Sequence, residues 1–183
     1  MGLWPHSGGI SPKLVDSANG IYAFAYQMTD IKTTPKIGTV CHENGHLLCW
    51  FPDLYSYNGN PADLAFYSLM DSGNYGDGGF HPTNVDPYLK AAAGWATVVD
   101  LTLEDCLTAS LEVTTNTFYR YLNPADPEEY FMFEARGNAG YEGPYGGSSA
   151  SVNPTSGVVV YHALETGSNT HSSIRNVATP DFS

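Results

Sequence analysis

The segment Thr39–Tyr57, TVCHENGHLLCWFPDLYSY, constrains this chain more than any other. His42 and His46 stand four residues apart, and Glu43 directly follows the first. Ile37, Val40, Cys41, Leu47 and Leu48 recur at spacings of mostly three, four and seven, which predicts a helix over 35–48. Thr34 is placed to cap it and Pro35 to open it. On such a helix the two histidines share a face, about 6 Å apart along the axis. Two imidazoles so placed can grip one Zn²⁺. Glu43 lies about 100° round from His42. It flanks a metal rather than ligating it, and from there a carboxylate can take a proton from water and pass it to a leaving amine. That is the chemistry behind H-E-x-x-H: metal-assisted hydrolysis, usually of peptides. The same motif also arises by chance on surface helices, so its surroundings must decide. Gly45 lets other backbone pack close, and apolar residues flank the motif on both sides.

Zinc needs a third protein ligand, with a fourth position left for water or substrate. Asp53 is the nearest candidate. It reaches the metal if the helix ends just after Leu48 and the chain turns sharply, which Pro52 favours. Asp63, Asp71 and Asp77 are alternatives, and Cys49 would compete with Asp53.

Composition narrows the classes of partner. The chain has 183 residues, with 7 Lys and Arg against 19 Asp and Glu, for a formal charge of -12. This argues against nucleic acid, which needs clustered cations, and against an anionic membrane surface. No apolar run approaches the ~18 residues of a membrane span. The first residues, MGLWPHSGG, lack the basic and apolar regions of a signal peptide, which predicts either a cytosolic protein or a piece of a longer precursor. Cys41, Cys49 and Cys106 do not form a disulfide framework. Cys41 and Cys49 lie about 12 Å apart on one continuous helix, too far to bridge.

Along the chain, residues 1–20 read as a polar loop and IYAFAYQM (21–28) as a strand. Residues 49–90 are dominated by turn residues. DPYLKAAAGW (86–95) reads as a short helix with Asp86 as cap, Pro87 in the first turn and Gly94 as stop. The runs ATVVDLTL, ASLEVTT, TFYRYLN, EYFMFEAR and GVVVYHAL then predict strands, and the Gly/Ser/Pro stretch 137–156 a long surface loop.

HENGHLLCWFPDLY, YSLMDSGNYGDGG and HPTNVDPYLKAAAGW together resemble the immune inhibitor A family of secreted zinc metallopeptidases, which belong with the metzincin-like zincins. That family carries H-E-x-G-H-x-L-G-L-P-D-x-Y, then a loop with S-(L/I)-M-S-S-G, then a P-x-x-K-x-x-x-G-W helix. EEYFMFEAR and GVVVYHALETGSN resemble two of its strands, so the likeness runs from LWPHS to about Asn169. It implies zinc on His42, His46 and Asp53, with Glu43 as general base and acid. It implies that Met70 is the Met-turn methionine, a hydrophobic floor beneath the metal. Structural calcium is also implied as an option, with Asp71, Asn74 and Asp77 of the Gly-rich loop as oxygen ligands, though the loop does not match an EF-hand. Tyr75 is placed either to hydrogen-bond an oxyanion or to pack beside the Met-turn. His6, His81 and His162 read as ordinary surface or core histidines.

Two departures stand out. The family has glycine seven residues after the first histidine, where the chain leaves the helix, and here that residue is Cys49. A left-handed conformation there would cost about 1–2 kcal/mol. Asp53 also lies 11 residues after His42, where the family spacing is 10. Further, the 41 residues before His42 are too few for the twisted sheet and long helix that precede a zincin active-site helix.

The expectation is therefore an α+β fold: a partial zincin-like catalytic domain over 1–100, then a β-rich segment over 101–183. It would be an extracellular fragment of a larger precursor, lacking much of the N-terminal sheet and acting on proteins or peptides. The rival expectations are a non-catalytic zinc- or peptide-binding remnant and a β-rich structural or adhesive domain.

Overall fold

Burial alternates along one strand and sets the core. Over Asp126–Arg136 the buried residues are Tyr130, Met132, Glu134 and Arg136, all on one face, while Phe131 points outward. The computed structural model describes residues 5–29, 34–57, 64–104, 109–113, 116–137 and 157–165. Asp63, Cys106 and the 137–156 stretch beyond Gly137 lie outside the described residues.

The elements run β1 (His6–Asp16), β2 (Ile21–Met28), α1 (Ile37–Cys49), two 3-10 turns (Ala65–Tyr67 and Ser72–Gly79), α2 (Pro87–Ala92), β3 (Thr97–Asp100), β4 (Thr117–Asn123), β5 (Asp126–Arg136) and β6 (Gly157–Leu164). The architecture is α+β. β1 and β2 form an antiparallel hairpin, and the other four strands form a sheet in the order β3-β4-β5-β6. β3 runs parallel to β4, and the remaining pairs are antiparallel. One apolar cluster joins Phe51, Leu54, Leu69 and Met70 to Leu89 of α2 and to Phe118, Met132 and Tyr161 of the sheet. No helix among the described residues is long and apolar enough to cross a membrane.

Several expectations need correcting. The described part of 1–20 is largely a strand, because pairing uses backbone groups and does not require an apolar pattern. The register shifts between Gly9 and Lys13, which takes Pro12 out of the ladder. Asp16 accepts from the Ala18 and Asn19 amides, and Gly20 turns back at φ 66°. Residues 109–113, expected as a strand, are not in one. α1 begins after Lys36, which has extended backbone and makes no side-chain cap, so Thr34 and Pro35 stand outside the helix.

The buried side of α1 was also misjudged. Its buried residues are Gly38, His42, Glu43 and Gly45, while Ile37 and Leu48 are exposed. At Gly38 the helix meets backbone: a Cβ there would stand 1.8 Å from the Asn74 carbonyl oxygen. α2 follows expectation, with the Asp86 side chain accepting from Leu89 N at 3.0 Å and Gly94 at φ 72°.

A buried polar network ties the sheet to the loops above it. Arg136 Nε donates to Glu134 Oε2 at 2.7 Å, and its Nη2 donates to the Tyr67 carbonyl at 2.7 Å. Nη1 donates to Thr83 Oγ1 at 3.2 Å, and the Tyr161 hydroxyl donates to Glu134 at 2.6 Å. Arg120 pairs with Asp100 at 2.6 Å on the exposed side. Arg136→Ala is expected to lower stability by about 3–5 kcal/mol, since it strands a buried carboxylate. Arg120→Ala should cost at most about 1 kcal/mol. Urea unfolding of both variants checks this, and equal losses would refute the role given to Arg136.

Candidate metal centre

α1 carries His42 and His46 on one face, and the chain must then return Asp53 to them. It does so through Trp50. Cys49 is the last helical residue, and Trp50 takes the left-handed conformation at φ 58°. The expected exit at Cys49 is thus displaced by one residue, which accommodates the extra residue before Asp53. Trp50 N bonds to the His46 carbonyl at 3.2 Å, and Phe51 N reaches back to the Gly45 carbonyl at 3.1 Å. The cost of a non-glycine residue there is about 1–2 kcal/mol.

The three side chains converge. His42 Nε2 is 3.0 Å from Asp53 Oδ1, His46 Nε2 is 3.1 Å from the same oxygen, and the two Nε2 atoms are 3.2 Å apart. Donors at 2.0–2.1 Å around a tetrahedral ion stand about 3.3–3.4 Å from one another, so the set is within a few tenths of an ångström of a zinc-sized site.

The remaining hydrogen bonds say which atoms are free to ligate. His42 Nδ1 is 2.9 Å from the Leu69 carbonyl, and His46 Nδ1 is 2.6 Å from the Phe51 carbonyl. A carbonyl only accepts, so each Nδ1 carries the proton and each neutral ring presents the Nε2 lone pair. Two lone pairs and a carboxylate oxygen then meet at one point. A proton on Nε2 or a cation relieves that crowding, and the two compete.

Electrostatics follows. Burial alone would lower the His46 pKa, but the Asp53 hydrogen bond, the Phe51 carbonyl and the Asp53 and Glu43 charges together raise it. Burial likewise works to raise Asp53, yet its contacts with the His42 and His46 rings, which donate to it once a proton sits on Nε2, and the Tyr57 hydroxyl hold it well below the usual carboxylate range. Glu43 is 7% exposed. Its carboxylate makes no hydrogen bond or ion pair among the described residues, so it is not locked by another side chain.

Met70 lies beneath the helix and is fully buried. A Cβ on Gly45 would stand 2.5 Å from Met70 Sδ, so this glycine makes room for a side chain rather than for backbone as expected. The Met70 carbonyl accepts from Leu54 N at 2.8 Å, which fastens the segment bearing Asp53.

Other candidates are engaged elsewhere. Asp71 accepts from Ala65 N at 2.8 Å and Ser72 N at 2.5 Å, while Asp77 pairs with His81 Nδ1 at 2.7 Å. Asn74 Oδ1 is buried without a hydrogen-bond partner. Tyr75 is exposed. Cys41 and Cys49 are free thiols. His6 bonds to the Tyr26 hydroxyl at 3.0 Å, and His162 stacks on Phe131 beside Glu129. Among the described residues, His42, His46 and Asp53 are the one set of three His, Cys, Asp or Glu side chains whose ligand atoms meet.

Sequence reasoning overlooked Tyr55 and Tyr57. The Tyr57 hydroxyl donates to Asp53 Oδ2, and Tyr55 packs edge-to-face on the Tyr57 ring close to the Asp53 charge. The Tyr55 phenol is pushed up by burial first and by the Asp53 charge second. The signal was the spacing in DLYSY, which puts two phenols within four residues of the carboxylate.

Compared with models of known protein families and with curated proteins, the chain matches neither.

Gly45→Ala is expected to destabilise the protein by about 1–3 kcal/mol through overpacking against Met70, despite the ~1 kcal/mol helix preference of alanine over glycine. Combining it with Met70→Ala should recover part of that loss. A double-mutant cycle by urea unfolding measures the coupling, and additive effects would contradict the contact.

Proposed function

We propose that this chain is the catalytic region of a zinc-dependent endopeptidase resembling the immune inhibitor A family, with a zincin-like pairing of active-site helix and Met-turn. One observation carries the proposal. His42 Nε2, His46 Nε2 and Asp53 Oδ1 meet within 3.2 Å of one another, with both Nδ1 protons already committed to backbone carbonyls. Two imidazoles and one carboxylate match the ligand set of a catalytic zinc site, which leaves a fourth position open. The buried, unpaired Glu43 beside them supplies the acid–base group that such a site requires.

When bound, zinc supplies a Lewis acid that polarises a peptide carbonyl and makes water a nucleophile near neutral pH. His42 and His46 hold their rings by the Nδ1 bonds and offer Nε2. Asp53 offers Oδ1. The Glu43 carboxylate takes a proton from the attacking water and delivers it to the departing amine nitrogen, so the base of the first half is the acid of the second. Met70 and Gly45 keep the helix seated so that the two rings do not drift apart. The acidic surface, at -12, suits a secreted protein rather than one bound to nucleic acid. The substrates are proteins or peptides, and the chain acts as part of a larger secreted precursor.

Zinc-replete protein is expected to hold one zinc per chain by elemental analysis. Glu43→Gln should lower proteolysis about 10²–10⁴-fold while zinc content stays unchanged. His46→Ala should lose both. Stoichiometric zinc with undiminished turnover in Glu43→Gln would refute the mechanism. A chain that takes up no zinc would favour a β-rich structural role.

A further inference from the structure

Each ligand of the centre has a second partner. For His42 and His46 it is a carbonyl at Nδ1, supplied by Leu69 and Phe51. For Asp53 it is a phenol. Oδ1 lies 3.0 and 3.1 Å from the two Nε2 atoms, while Oδ2 accepts from the Tyr57 hydroxyl. We propose that Tyr57 is a positioning residue for the metal centre, holding Asp53 by Oδ2 so that Oδ1 alone is presented to the cation. This rests on the metal-site reading above and adds to it a residue that sets the affinity of the site.

The physical case begins with the carboxylate. Asp53 can turn either oxygen, or both, toward a cation. The histidines are fixed by a helix, but Asp53 sits on the irregular segment that follows the left-handed Trp50. Its orientation therefore needs a restraint from outside the helix. Tyr57 provides one, because its hydroxyl donates and cannot compete with the carboxylate as an anion. Tyr55 packs edge-to-face on the Tyr57 ring, with centroids 5.2 Å apart at 79°, and limits where that ring can swing.

Tyr57 is 53% exposed and is not part of the apolar core. The hydroxyl can therefore be removed with little effect on folding. Outer partners of metal ligands are commonly worth 10–100-fold in metal affinity.

The test uses the full chain, freed of metal, and its Tyr57→Phe variant. Zn²⁺ is titrated against a chromophoric chelator, the visible spectrum of the Co²⁺-loaded protein is recorded, and metal-free stability is measured by urea unfolding. The expected result is a zinc Kd weakened about 10–100-fold, a shifted Co²⁺ spectrum and an unchanged metal-free unfolding midpoint. Tyr22→Phe, on the exposed side of the β1–β2 hairpin, should behave as the parent protein. Parent-like Kd and spectrum in Tyr57→Phe would overturn the inference and leave the zinc site standing. So would a fall in metal-free stability large enough to account for the lost affinity. A parent protein that binds no zinc would overturn both.

Discussion

The bond between His42 Nδ1 and the Leu69 carbonyl, 2.9 Å long and 27 residues apart in sequence, is the contact on which the centre depends. It joins α1 to Ser68–Asp71, four consecutive residues that are all buried. Several other parts of the fold are fastened to that segment. Met70 fills the space opened by Gly45, and the Met70 carbonyl holds the Leu54 amide, next to Asp53. The Ser68 hydroxyl bonds to Asp86 at 2.7 Å, and Asp86 in turn caps α2. Beside the segment, Arg136 of β5 clamps the Tyr67 carbonyl. The sheet thus reaches the histidines through a continuous chain of hydrogen bonds and apolar contacts.

This arrangement trades local stability for a preformed site. Lone pairs of two imidazoles and a carboxylate are gathered within 3.2 Å, which is unfavourable unless a proton or cation lies between them. Trp50 adds backbone strain at the point where the chain turns back toward the site. Both costs are confined to the centre, and both are offset by neighbours that the centre does not consume. Those neighbours are the Leu69 and Phe51 carbonyls, the Tyr57 hydroxyl and the buried Met70. Such a shell holds the three candidate ligand atoms in place, so less ordering would be required to bind a cation.

Much of this was legible in the chain. α2 could be placed from Asp86, Pro87 and Gly94, because caps and stops act within one turn of the helix. The strands at 117–123 and 157–164 coincide with runs of β-branched and aromatic residues. The i, i+4 spacing of His42 and His46 already required them to share a face, and Pro52 with Asp53 suggested the return. β1 was missed because glycine and proline read as breakers, whereas the hairpin absorbs Pro12 in a register shift. The buried side of α1 was missed because apolar periodicity says nothing about a face that packs through glycines, Gly38 against backbone and Gly45 against the Met70 side chain.

Residue types and short spacings thus determined the available chemistry: two imidazoles on one helical face and a carboxylate a few residues beyond them. Those are properties of neighbouring residues, and the covalent chain enforces them over a few ångströms. Folding decided which partners the ligands would have. Leu69 for His42, Met70 for Gly45, and the left-handed exit at Trp50 rather than Cys49 depend on close packing between distant segments. No local pattern encodes those contacts, because the geometry of the whole core selects them.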